Sequence, residues 1–129
     1  MTVLFTKAFN ELGYELEAQR TDWSAANEAG VCLSLWKKET DWRTLVMDTR
    51  IHAGPPEDWQ HKLGNRKRVA HARRAIAEHD GWIDVVTIDG IPGKGYGDAH
   101  PWVPAQRKGK KWRVTFLDEE TGHLRLEAQ

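Results

Sequence analysis

The chain has 129 residues, 40% of them apolar and 29% charged, with 19 Lys and Arg set against 19 Asp and Glu. Those values exclude a disordered chain of low hydrophobicity and high net charge, and no apolar run approaches the ~20 residues that a membrane-spanning helix needs. A single domain over residues 1–129 is expected, large enough to bury roughly 65–70% of the surface of its unfolded chain. The lone cysteine, Cys32, cannot close an internal disulfide and sits in an apolar run, which reads as a buried thiol in a reducing compartment. Residues 1–7 lack the basic and apolar pattern of a signal peptide, so a cytoplasmic protein is expected.

Leu4, Ala8 and Leu12 recur at spacing four with Phe5 and Phe9 alongside, which predicts an amphipathic helix over residues 3–12 capped by Gly13. Tyr14, Leu16 and Ala18 alternate with polar residues, and Val31, Leu33 and Leu35 alternate with Cys32, Ser34 and Trp36; the two stretches predict a strand pair around the turn Asn27-Glu28-Ala29-Gly30. Residues 45–47 read as a third strand, and His52-Ala53-Gly54-Pro55-Pro56 interrupts regular structure.

Residues 65–79 hold Ala70, Ala72, Ala75 and Ala77 and neither proline nor glycine, so a helix is predicted there, stopped by Asp80-Gly81. On its wheel Val69, Ala72 and Ile76 form the buried stripe, while Lys67, Arg68, His71 and Arg74 face away from it. Residues 82–89 are the most strand-like segment of the chain. A loop with four glycines and three prolines follows over residues 90–104. Residues 112–117 and 123–127 alternate around Asp118-Glu119-Glu120-Thr121-Gly122, a hairpin signal. The order predicts an α+β fold: a curved, mostly antiparallel sheet or small β-barrel with two to three flanking helices. Parallel βαβ winding is not expected, because only one helix stands between clear strands.

Charge is sorted along this neutral chain. Cut at residues 42, 79, 105 and 113, it gives segment charges of −3, +4, −3, +5 and −3. Residues 65–74 carry Arg66, Lys67, Arg68, Arg73 and Arg74 without an acid, and residues 106–113 carry Arg107, Lys108, Lys110, Lys111 and Arg113 likewise. Cations so grouped suit phosphates, and flat rings suit bases. Glu78 is the only acid placed to pair along the helix, at i+4 from Arg74. Of seven tryptophans, Trp36 and Trp82 border apolar runs and read as packed, whereas Trp23, Trp59 and Trp102 lie in polar or proline-flanked segments and are candidate base-stacking rings. Lys94, Tyr96 and His100 lie in the glycine-rich loop, which matches neither a phosphate loop nor a dinucleotide fingerprint and reads as a recognition loop.

No catalytic signature is present. His61, His71, His79 and His100 lack metal-ligand spacing, Asp84 and Asp89 fall on opposite faces of an unbroken strand, and no nucleophile elbow surrounds Ser24 or Ser34. No cofactor and no metal are expected. A small metal-dependent hydrolase or nuclease using Asp84, Asp89 or His100 is the enzymatic alternative. An interaction domain whose acidic and basic segments pair between two copies of a homodimer is the other.

In Trp23-Ser24-Ala25, Val31-Cys32-Leu33-Ser34-Leu35-Trp36, Arg68-Val69-Ala70-His71 and Trp82-Ile83-Asp84-Val85-Val86 the chain resembles small bacterial PUA-like and EVE-like modules found alone or beside modification-dependent restriction nucleases. The resemblance implies a β-barrel with an aromatic pocket for an extruded or modified base, basic residues on the backbone, and cutting supplied by a nuclease partner. The expected function is therefore a non-catalytic nucleic-acid-binding module, with DNA ranked ahead of RNA and no membrane association. Its expected contacts are Arg66, Lys67, Arg68, Arg73, Arg74, Lys108, Lys110 and Lys111 to phosphates and Trp23, Trp59 or Trp102 to a base.

Overall fold

The computed structural model describes residues 3–18, 22–52, 62–89, 100–101 and 111–128. Helix α1 (Val3–Glu11) opens the chain and ends where Gly13 takes a positive φ of 91°, with Tyr14 N–H returning to the Phe9 carbonyl at 3.0 Å. Strands β1 (Ser24–Asn27) and β2 (Gly30–Trp36) form an antiparallel hairpin. Its turn is fixed by the Asn27 carboxamide, which accepts from the Ala29 and Gly30 N–H groups. One 3-10 turn (Lys37–Glu39) leads to β3 (Thr40–Asp41) and β4 (Val46–Asp48), then to the short helix α2 (Thr49–His52). Helix α3 (Leu63–His79) precedes β5 (Trp82–Asp89); β6 (His100–Pro101), β7 (Trp112–Leu117) and β8 (Leu124–Ala128) complete the order.

The strands form one sheet in the order β1-β2-β5-β7-β8-β4-β3, with β6 pairing on β5. The predicted α+β class, the mostly antiparallel sheet and the hairpin of residues 112–128 are all present. β3 lies at the opposite end of this path from β1, yet only the three residues of the 3-10 turn separate it from β2. The sheet must therefore curl strongly on itself, as twisted strands allow. Trp42 fills the fold of that curl: its Nε1–H donates to the Lys37 carbonyl at 2.9 Å and its ring meets Trp112 edge-on, with centroids 6.3 Å apart.

Two expectations are corrected. β2 and β5 pair in parallel, in register from Cys32 with Asp84 to Trp36 with Ile88. The chain between them makes a long excursion to the far edge of the sheet and returns through α3, so a crossover exists despite the single long helix. Residues 14–18 form no strand, because β1 already occupies the free edge of β2. Their alternation reflects burial without a ladder: Tyr14 and Leu16 enter the core, and the Tyr14 hydroxyl donates to Asp84 Oδ2 at 2.7 Å. Burial, followed by that carboxylate, pushes the phenol pKa upward.

The two faces of the sheet carry separate cores. On one, Val31, Leu33, Leu35, Ile83, Val85, Trp112, Val114, Leu124 and Leu126 pack with Ala72 and Ala75 of α3. On the other, Cys32, Val86 and Ile88 pack with Ala8 and Phe9 of α1 and with Tyr14 and Leu16. Cys32 is buried and in no disulfide. No described helix is long and apolar enough to cross a membrane.

The exit from α3 is a left-handed corner. Asp80 (φ 55°) and Gly81 (φ 84°) reverse the chain, and Gly81 N–H reaches back to the Ala75 carbonyl at 2.8 Å, a six-residue return that closes the helix end. Across the domain Gly122 (φ 91°) closes the β7–β8 turn against the Asn65 carboxamide, and a methyl there would overlap it. Gly122→Ala should lower the unfolding free energy by about 1–3 kcal/mol, a strained dihedral plus overpacking. Gly13→Ala, with the same dihedral and open space around it, should cost only about 1 kcal/mol. Urea melts of the two variants check the difference, and equal losses would show that Gly122 is not pressed against α3.

Candidate nucleic-acid interface

Helix α3 sets the positions of the first basic cluster, and its buried face differs from the predicted one. Gly64, Asn65, Arg68, Val69, Ala72 and Ala75 are buried, whereas Ile76 is 46% exposed. The reason is the polar bed prepared for Arg68, which is only 8% exposed. Its guanidinium lies over the Trp23 ring at 5.0 Å and donates to Asn65 Oδ1 at 3.3 Å, while Asn65 Nδ2 donates to the Thr121 carbonyl at 3.1 Å. Trp23, one of the candidate stacking rings, thus braces Arg68 beneath the helix.

On the flank facing β1, Lys67 Nζ sits 2.9 Å from Asp22 Oδ1 and 3.8 Å from Glu17 Oε1. Asp22 is 1% exposed, and its Oδ2 also accepts from the Ala18 N–H at 2.9 Å. One turn on, His71 Nδ1 lies 2.6 Å from Ser24 Oγ. Burial above all holds the His71 pKa below its ordinary value against the pull of Glu17 and Asp22. A hydroxyl and an imidazole beside a carboxylate resemble a nucleophilic dyad in composition, but Ser24 has no accessible surface, so the contact serves to pin β1 to the helix. Arg74 pairs with Glu78 at 3.1 Å, as the i+4 spacing implied, and donates to the Asn27 carbonyl at 2.9 Å. On the opposite flank Arg73 pairs with Glu119 of the β7–β8 turn.

What remains is an outward ridge of Lys62, Leu63, Arg66, Ala70, Arg73 and Ala77, all exposed. Among the described residues no carboxylate pairs with Lys62 or Arg66. The pairs along the helix are unequal. Arg73 and Glu119 are both more than half exposed, and such a pair is worth about 0–1 kcal/mol, so a phosphate could displace the glutamate. The Asp22 carboxylate is buried, so Lys67 is committed to it. The five cations predicted as phosphate contacts are therefore of two kinds: Arg66 and Arg73 are available on the ridge, with Lys62 added to them, whereas Lys67 and Arg68 are structural and Arg74 is bound to the strand beside it.

Of the other predicted contacts, Lys111 is exposed at the start of β7. His100 contributes backbone to β6, opposite Asp89. Lys94, Tyr96, Trp59, Trp102, Lys108 and Lys110 lie outside the described residues. Among the described residues no group of His, Cys, Asp or Glu could hold a metal ion, and Lys67, Arg73 and Arg74 each have an acidic partner within the chain.

Sequence reasoning missed the second surface. On the sheet face opposite α3, beyond the part covered by α1, cross-strand rows run Trp82–Arg113–Glu127–Val46 and Phe116–Arg125–Asp48. The Arg113 guanidinium lies over the partly buried Trp82 ring, 5.4 Å from its centroid, its Nε–H donating to the Asp80 carbonyl and its Nη2 pairing with the Asp80 carboxylate. Arg50 stacks on Phe116 at 4.0 Å and grips Asp48 through two bonds of 3.0 and 2.8 Å. The Arg50 bond in turn holds the Asp48 pKa below the usual carboxylate range. The available signal was the parity of residues 112–117 and 124–128, which sets these side chains opposite the apolar ones; the pairing of Trp82 with Arg113 needed the register.

Comparison with protein-family models, with curated proteins and with solved structures finds no match for this chain.

Two outcomes separate the structural cations from the available ones. Lys67→Met should destabilise the fold by about 2–4 kcal/mol, because it strands a buried carboxylate, whereas Arg73→Ala should change stability by less than about 1 kcal/mol; thermal melts at one pH decide. The His71 pKa is lower in the folded state than in the unfolded chain, so the unfolded chain takes the proton first as pH falls. Its contribution is then full above about pH 6.5 and is lost as pH drops through the folded value. Wild-type protein should lose more stability between pH 7.5 and 5.5 than His71→Asn does; parallel losses would remove the assignment.

Proposed function

We propose that this protein is a non-catalytic nucleic-acid-binding module whose phosphate contacts come from the outward ridge of α3. The observation that carries the reading is the set Lys62, Arg66 and Arg73 on one exposed face, the first two without acidic partners among the described residues and the third in a pair weak enough to exchange. At 1.5 Å per residue they stand about 6 and 10.5 Å apart along the helix axis, a cationic rail in a protein of zero net charge. Lys62 makes no side-chain cap at the start of α3, and the first turn of the helix holds no acid.

The resemblance to PUA-like and EVE-like modules supports the same ligand class. The strongly curled sheet is compatible with it, and reading of a modified or extruded base is the finer part of the proposal. Nothing among the described residues favours the hydrolase alternative, since Asp84 is engaged by Tyr14 and Ser24 is buried.

The triple variant Lys62→Ala, Arg66→Ala, Arg73→Ala should bind a fluorescent oligonucleotide more weakly at every sequence tested. The slope of log K against log salt should flatten by about 0.9 per lost contact on duplex DNA, or about 0.7 on a single strand. Its melting behaviour should stay near wild type. An unchanged salt slope would remove α3 from the interface.

A further inference from the structure

The sheet face opposite α3 carries a feature that phosphate binding by the helix does not use. Two guanidinium groups, Arg113 and Arg50, lie on the rings of Trp82 and Phe116, and each is fixed from the side by an aspartate. Arg113 is 40% and Arg50 45% exposed, while the Asp48 carboxylate that orients Arg50 is 6% exposed. Both guanidinium groups therefore reach solvent, and at Arg50 the compensating acid is buried. Arg125, likewise 40% exposed, stands directly opposite Phe116 in the next strand. The two ring–guanidinium pairs are on neighbouring rows of β7, separated by the bulge between Val114 and Phe116, so about 7 to 10 Å divides them at the usual strand rise.

We infer that this face is a stacking platform for unpaired bases of a single nucleic-acid strand. A guanidinium held over a ring and bound by a carboxylate is already ordered when a base arrives, and bases stack on guanidinium planes as they do on aromatic rings. A carboxylate already engages each of the two cations, so they contribute stacking more than phosphate neutralisation. The exposed charge around the two pairs comes from Arg50, Arg113, Arg125 and Lys111, offset by Glu127, Asp84 and, at its edge, Asp80, and the guanidinium groups suit the π face of a base. A duplex hides its base faces within the stack, so the occupant is an unpaired strand. The platform meets α3 only at the C-terminal end of the helix, where Arg113 is bonded to Asp80, so it is a surface separate from the proposed phosphate rail. The inference rests on the nucleic-acid reading for its ligand class and adds the strandedness and the second contact surface.

The test uses the full chain, a short oligothymidylate and the same sequence as a duplex. Arg50→Lys with Arg113→Lys keeps the charge and removes the planes. Affinity for the single strand should fall about 10- to 100-fold with the salt slope unchanged, and duplex affinity should stay within about twofold. In wild-type protein, where folding is not in question, backbone amide shifts on adding the oligothymidylate should cluster at residues 82, 113, 116 and 125. Lysine variants that bind the single strand as well as wild type, or shifts confined to α3, would overturn the platform and leave the proposed function standing. No binding of either oligonucleotide at low salt would overturn both.

Discussion

The helix that returns the chain to β5 lies close on the sheet because its inner positions are Gly64, Ala72 and Ala75, with Val69 beside them, and the fate of each charge on it follows from that approach. Small side chains let the helix backbone near β1 and β2, which brings the flanking residues within reach of groups they could not otherwise meet. Lys67 arrives at the buried Asp22 carboxylate, His71 at the Ser24 hydroxyl, and Arg74 at the Asn27 carbonyl. Arg68 is taken underneath, where a ring and a carboxamide receive it. A guanidinium tolerates this position because it is planar, weakly hydrated for a cation and able to stack; an ammonium would lose more on leaving water.

Magnitudes then divide a basic segment that looks uniform on paper. A pair with one buried carboxylate is an internal constraint, since breaking it leaves a charge out of water. A pair between two exposed side chains is close to neutral in free energy and exchanges readily. The first kind fastens α3 to the segment before β1, and the second, at Arg73 and Glu119, leaves a cation free to meet an anion. A protein of zero net charge can in this way keep a local cationic ridge without the self-repulsion that a strongly basic chain would carry.

The curl of the sheet decides what its outer face offers. Three residues join β2 to β3 although the two lie toward opposite ends of the strand order, so one face closes over the core shared with α3 and the other opens outward. Among the described residues, helix α1 packs over β1, β2, β5 and β6 on that second face. Over β7, β8 and β4 the outward positions alternate arginines with carboxylates and rings, and each ring there is screened from water by a guanidinium instead of by a second layer of secondary structure.

Local chemistry was legible in residue order alone. The Gly13 cap, the Asn27 turn, the Asp80-Gly81 stop, the hairpin of residues 112–128 and the Arg74–Glu78 pair each depend on neighbours a few positions apart, and each is present. The alternation at Tyr14 and Leu16 correctly marked burial, but a strand also needs a free edge, and β1 had taken it. Sorted charge likewise marked where the cations are without showing which are held. Parallel pairing of β2 with β5, the turning of α3 that buries Arg68 and exposes Ile76, and the stacking of Arg113 on Trp82 and of Arg50 on Phe116 join residues about 30 to 70 positions apart. Periodicity carries no record of partners at that separation; only the folded chain, by setting register and helix rotation, chooses them.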